Sequence, residues 1–175
     1  MCAICDFKIE FNVSHPHALT VAVATREAVE AGVLPEQVFD GALGSMKMRV
    51  VAIDTLGQLQ SRMETSVPPA QLAGLPDFYV LLVDSGTWGF FHATESGFDP
   101  DIVPEIPEVF PDNQAERDIT LIAAQATISA ILDGRVELDH AMHERLVMLD
   151  ADDVAAQAIV DVLRRACGAH VDAPL

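Results

Sequence analysis

Phe7, Ile9, Phe11 and Val13 alternate with Lys8, Glu10 and Asn12, and this period of two predicts a strand over about 6–13 with one buried and one wet face. Ser14 and Pro16 stand where an N-cap and a first-turn proline start a helix, and Gly32 stands where a glycine ends one. Ala18 to Val29 is apolar almost all round, so this helix is expected to be covered on both sides. Pro35 opens a second short helical segment through Val38, Phe39 and Leu43 that stops near Gly44. The β-branched run from Met48 to Ile53 reads as a strand, and Leu56 to Met63 as a helix before Pro68-Pro69 breaks the chain.

The clearest hairpin follows. Phe78 to Val83 and Trp88 to His92 are two apolar, β-rich runs around Asp84-Ser85-Gly86-Thr87, and aromatic side chains can meet across the pair. From Gly97 to Glu116 the character changes: Pro100, Pro104, Pro107 and Pro111 are interleaved with Asp and Glu, so a loop or extended cover is expected. A compact run comes after it. A strand over 118–122 leads to a helix over 124–133 ended by Gly134, then a short helix over 138–143, a strand over 145–149 and a final helix over 152–167. In that last helix Val154, Ala155, Ala158, Ile159, Val162, Leu163 and Ala166 fall on one stripe, and Asp152 and Asp153 suit its positive N-terminus. Strands do not alternate regularly with helices, and there is no internal repeat. The pattern therefore points to one α+β domain over 1–175, with a small α/β sandwich as the runner-up.

Charge narrows the partners. There are 27 Asp and Glu against 10 Lys and Arg, giving a net charge of −17. Nucleic acid is an unfavourable partner for such a chain, and so is an anionic membrane surface. No apolar run is long enough to span a bilayer, and no secretory signal pattern opens the sequence, so a soluble cytoplasmic protein is expected. At this size and with 50% hydrophobic residues the chain can bury a core without disulfides, and its three cysteines are expected to be reduced.

Candidate chemistry is sparse. Cys2-x-x-Cys5 followed by His15-Pro16-His17 offers a Cys2His2 donor set for zinc, provided the chain folds back sharply between the pairs. This metal reading, with an open position for hydrolysis as one form of it, is the alternative to a non-enzymatic role. Cys167-Gly168-Ala169-His170 reads as a helix end and tail. His140 and His143 lie one helical turn apart without the metalloprotease spacing, which makes them solvated helix-face residues. Gly41 to Lys47 is two residues short of a phosphate loop and follows no strand, so a helix end accounts for its glycine. No Gly-x-Ser-x-Gly elbow exists. What remains is apolar surface in excess of one core, and it suggests either a pocket for a hydrophobic molecule or an interface of a homo-oligomer.

Asp118-Ile119-Thr120-Leu121, the helix through Ile128, Ala130, Ile131 and Leu132, then Asp133-Gly134-Arg135-Val136-Glu137-Leu138-Asp139-His140-Ala141-Met142, Arg145-Leu146-Val147-Met148 and the closing helix form a familiar order. Over about 118–165 it resembles the sterol carrier protein 2 type of lipid-binding domain. That family places glycines on both sides of its Lys-Leu strand, where this chain has Glu144 and Asp150, and residues 1–34 and 97–116 have no counterpart in it. The resemblance implies a five-stranded sheet packed with helices around an apolar tunnel for lipids or acyl chains, with no cofactor. The fold expected is thus α+β, a mainly antiparallel sheet of about five strands packed against helices. Phe78, Val80, Trp88, Phe90, Ile128, Leu132, Met142 and Leu163 are expected to line a ligand cavity.

Overall fold

A computed structural model describes residues 8–9, 14–38, 41–99 and 101–168. In chain order the elements are β1 (Lys8–Ile9), α1 (Ala18–Glu30), α2 (Gly41–Ser66), α3 (Pro69–Leu72), β2 (Phe78–Leu82), β3 (Thr87–Phe91), β4 (Ala93–Thr94) and β5 (Gly97–Phe98). They continue with β6 (Thr120–Ala123), α4 (Gln125–Leu132), α5 (Leu138–His143), β7 (Val147–Asp150) and α6 (Asp153–Gly168). Of the strand expected over 6–13, only Lys8–Ile9 lies within the described residues, where it pairs with β3.

The class is α+β, as expected, but the sheet is mixed. Four longer strands and the two-residue β1 run in the order β1-β3-β2-β6-β7, and β4 pairs with β5 in a second, two-stranded sheet. The hairpin forms with Phe78 opposite Phe91 and Leu82 opposite Thr87. β6 runs antiparallel to β7 but parallel to β2, so the centre of the sheet is not antiparallel. The reason is the connection: β3 already ends beside the start of β2, and residues 92–119 cross from that end to the other side of β2, so β6 enters in the same direction as β2.

All five residues of β2 are buried. Such a strand is covered on both faces, and its unbroken apolar run is the sequence mark of that position. Phe78, Val80, Leu82 and Phe91 join the larger core, which α2, α4 and α6 fill with Leu56, Leu59, Met63, Ile128, Ile131, Ile159 and Leu163. Tyr79, Leu81, Trp88 and Ile122 form a second cluster on the other face with Val21 of α1 and Val109 of the segment after β5.

Two local expectations are overturned. The strand over 48–53 lies inside the 26-residue α2, and of the short helix expected from Pro35 to Gly44 residues 35–38 are irregular while 41–44 belong to α2, which passes through Gly44 without interruption. The β-branched residues there sit in a helix because Ala52, Leu56, Leu59 and Met63, spaced four, three and four apart, form one buried stripe against the sheet. Tertiary burial outweighs the fraction of a kcal/mol by which each β-branched residue disfavours a helix. The second correction concerns α1. It is one-sided, with Leu19 74% and Val23 50% exposed. Its N-cap is His17 without a side-chain bond, while Gly32 ends it at φ +74°.

From β6 onward the expected elements are found within two residues of their expected bounds. Asp152 Oδ1 accepts hydrogen bonds from the backbone N–H groups of Val154 and Ala155, both at 2.9 Å, and so caps α6. The N-cap of α4 is Ala124, which has no side-chain oxygen, and the helix borrows a cap from the hairpin turn: Asp84 accepts from Gln125 N at 3.0 Å.

Gly89 lies where β3 packs close against α2. A Cβ there would meet Leu56 Cδ1 at 3.1 Å and Phe91 Cε2 at 3.3 Å. Gly89→Val is expected to cost about 1–3 kcal/mol by overpacking, read from the midpoint of urea unfolding.

Candidate functional site

The acidic proline segment is the element that builds a site. Past β5 its prolines remove backbone donors, and residues 101–113 pair with no strand and lie as an extended strap along the outer face of β2 and β3. Three anchors hold it. Val109 is fully buried in the second cluster. The Tyr79 hydroxyl donates to the Glu105 carbonyl at 3.0 Å. At the far end Glu108 N donates to Asp118 Oδ2 and Asp118 N to the Glu108 carbonyl, each at 2.8 Å.

Between strap and sheet runs a groove of about 530 Å³. Tyr79 and Phe90, neighbours across the hairpin with ring centroids 4.8 Å apart, form its floor. Ile102, Val103, Pro104 and Ile106 line the strap side, and Asp77, Glu105, Glu108 and Asp118 bring four carboxylates to its edges without a Lys or Arg. The aromatic floor and aliphatic side are apolar, but polar groups make up most of the exposed wall, so a groove of this size suits a small amphiphilic ligand rather than a wholly apolar one. The carboxylates disfavour an anion and favour a cation, which the faces of the two rings also attract. Burial, followed by the nearby charges of Asp118, Glu105 and Asp77, pushes the Tyr79 hydroxyl up to about 12, so it remains a donor to the strap at neutral pH.

The residues expected to surround one cavity are divided by the sheet. Phe78, Val80, Ile128, Leu132 and Leu163 belong to the larger core, with Met142 packed against it. Trp88 and Phe90 belong to the opposite cluster, and of the eight only Phe90 lines the groove under the strap. Side chains two apart on a strand share a face and those one apart do not, so Trp88 and Phe90 in β3 could meet Phe78 and Val80 only in a different register. Tyr79 and the residues from Ile102 to Ile106 were not selected from the sequence. The signal available for them was the cluster of prolines beside an aromatic strand.

Of the metal donors, Cys2 and Cys5 lie outside the described residues. His15 is buried, and its Nδ1 is already engaged. Nδ1 accepts the His17 backbone N–H at 3.1 Å, which leaves the ring proton on Nε2, 3.2 Å from Asp150 Oδ2. Asp150 is also held by Arg117 Nη1 at 2.7 Å and Gln114 Nε2 at 3.2 Å. This buried cluster ties the start of α1 and the end of the strap to β7. Burial lowers the His15 imidazole to about 4 against the opposing pull of Asp150, so the ring is neutral. Among the described residues no group of three or more His, Cys, Asp and Glu is placed to hold a metal ion. His140 and His143 are solvent-exposed, as expected. Gly41 begins α2 rather than ending a helix. Cys167 is a free thiol in the last turn of α6, pushed up to about 11 by burial and therefore a poor nucleophile at neutral pH. Among the described residues no helix is long and apolar enough to cross a membrane.

No family model and no curated protein matches the chain. Among solved structures, the solution structure of the sterol carrier protein domain 2 of Helicoverpa armigera is similar at a TM-score of 0.44 and 16% identity, over 67% of this chain and 89% of that one. A likeness of that size carries no conclusion about ligand or site.

Two pH dependences follow from these groups. An unfolded imidazole takes up its proton near pH 6.5, whereas folded His15 resists until about 4, so stability is lost as pH falls through that interval. Urea unfolding between pH 7 and 4 should show this component in the native chain and lack it in His15→Gln. Tyr79 has the opposite sense: the unfolded phenol ionises near 10 and the folded one near 12, so stability falls as pH rises between them. Tyr79→Phe should remove that alkaline component, cost about 0.5–1.5 kcal/mol at neutral pH, and speed amide exchange in residues 102–106.

Proposed function

We propose that this protein is a non-enzymatic, cytoplasmic binding protein for a hydrophobic small molecule, and that the ligand lies in the groove between the strap and the outer face of the β2–β3 hairpin. The observation that carries the reading is the groove itself: an aromatic floor of Tyr79 and Phe90 under a strap that brings both aliphatic and acidic side chains to it, with a volume of about 530 Å³. The carboxylate edge refines the ligand class within the lipid and acyl-chain range: a neutral or cationic amphiphile fits, and a free fatty acid would bring its carboxylate toward Asp77, Glu105, Glu108 and Asp118. Phe90 contributes the ring that can be removed at least cost to the fold, since it is half-buried whereas Tyr79 also holds the strap.

The test uses thermal unfolding with an alkyltrimethylammonium and a fatty acid of equal chain length, both below their micellar concentrations. A ligand that binds only the folded state raises the melting temperature. The cation should raise it in a concentration-dependent way, the fatty acid should do so far less, and Phe90→Ala should weaken the effect roughly tenfold by removing aromatic contact. No shift with either probe, or an equal shift in Phe90→Ala, sinks the reading.

A further inference from the structure

The outward face of α2 carries a pattern that the fold does not use. Its inward stripe, Ala52, Leu56, Leu59 and Met63, is buried against the sheet. On the other side Leu43, Met46, Val50, Ile53 and Gly57 follow one another at three, four, three and four residues, the spacing of a helix–helix seam over two heptads. Leu43, Met46 and Val50 are 73%, 64% and 52% exposed. Ile53 and Gly57 line a second groove of about 530 Å³, closed on one side by Leu132 of α4. A Cβ on Gly57 would meet nothing within 4 Å, so the helix surface is notched there.

The charge on this face is unlike the rest of the molecule. Residues 41–53 contain no Asp or Glu and carry Lys47 and Arg49, in a chain whose net charge is −17. Two copies brought together by most other surfaces meet as like charges, and this stretch relieves that repulsion. Asp54 stands one heptad after Lys47 and therefore on the same side of the seam.

We propose that this face is a self-association surface on which a second copy of the chain docks, α2 against α2 in antiparallel sense, about a two-fold axis close to Val50. The arrangement is self-complementary, as a two-fold contact requires. Leu43 of each copy lies over the notch at Gly57 of the other, Met46 meets Ile53, and Lys47 lies beside Asp54, with every contact made twice. Parallel packing would set Lys47 near the acid-free half of the other helix and leave the notch facing itself, so the antiparallel sense is the one that charge and shape both select. The surface is on the side of the sheet away from the strap groove, so pairing and ligand binding do not compete. A seam of two heptads is small beside a standard interface, and the association is a concentration-dependent equilibrium.

Sedimentation velocity of the full chain across the micromolar range tests this. The average mass should rise from 18.8 kDa toward twice that value. Val50→Glu, which places two carboxylates at the axis, should remain a monomer throughout, with unchanged circular dichroism. Lys47→Asp and Asp54→Lys should each weaken association roughly tenfold, and the double variant Lys47→Asp/Asp54→Lys should recover it, because the exchanged charges again face opposite signs. Leu19→Glu, on the exposed side of α1, should associate like the native chain. The proposal is overturned by a native chain that stays monomeric at the highest concentration, by association that survives Val50→Glu or is lost in Leu19→Glu, or by a charge-exchanged double variant that fails to recover. A monomeric native chain that co-sediments with phosphatidylglycerol vesicles through Lys47 would assign the face to a lipid surface and overturn it as well.

Discussion

Five consecutive buried residues in β2 require a cover on each face of the sheet, and the way the chain supplies those two covers shapes nearly everything else. One cover is helical. α2, α4 and α6 bring long aliphatic stripes to Phe78, Val80, Leu82 and Phe91 and build the larger core. The other cover is divided between α1 and the proline strap, and it is thinner, resting on Val21 and Val109. A helix with its side chains fills a cylinder about 10 Å wide above a sheet, whereas an extended strap leaves gaps beside it. The groove over Tyr79 and Phe90 is such a gap, and it lies where the cover is an extended strap rather than a helix.

The strap is held at points, not along a ladder. Prolines deny it a continuous set of backbone donors, so the Tyr79 hydroxyl, the reciprocal pair between Glu108 and Asp118, and the buried Val109 set its position. Just beyond its end, Arg117 and Gln114 reach Asp150, which also faces His15. The same buried carboxylate thus ties together three stretches far apart in the chain. A charge in such a place persists only when its partners are fixed, and fixing them sets the entry of α1 and the exit of the strap relative to β7.

The two surfaces singled out for binding differ in how visible they were beforehand. The hairpin and the order β6, α4, α5, β7, α6 were legible, because Gly86, Gly134, Asp152 and the apolar stripe of α6 are local signals that act within a few residues of themselves. α2 was not, because Met48 to Ile53 satisfies a strand pattern as well as a helical one, and the choice is made by the sheet against which Ala52 and Leu56 pack. Reading 48–53 as a strand also hid the seam from Leu43 to Gly57, since its spacing has meaning only on one uninterrupted helix. The groove was half legible: Phe90 was singled out, but the alternation of faces along the hairpin separates it from Phe78 and Val80.

What the sequence by itself determined is local: the hairpin, the succession of elements after Asp118, the helix-ending Gly32 and Gly134, and the excess of carboxylates. Each depends on φ/ψ preferences, capping or side-chain charge, which act over one or two turns of chain. What only the tertiary structure decided is the direction of β6 beside β2, the continuity of α2, and the meeting of Tyr79 with a strap more than twenty residues away. These depend on which surfaces of distant segments bury one another, and the free energy of that burial belongs to the pair of surfaces rather than to either segment alone.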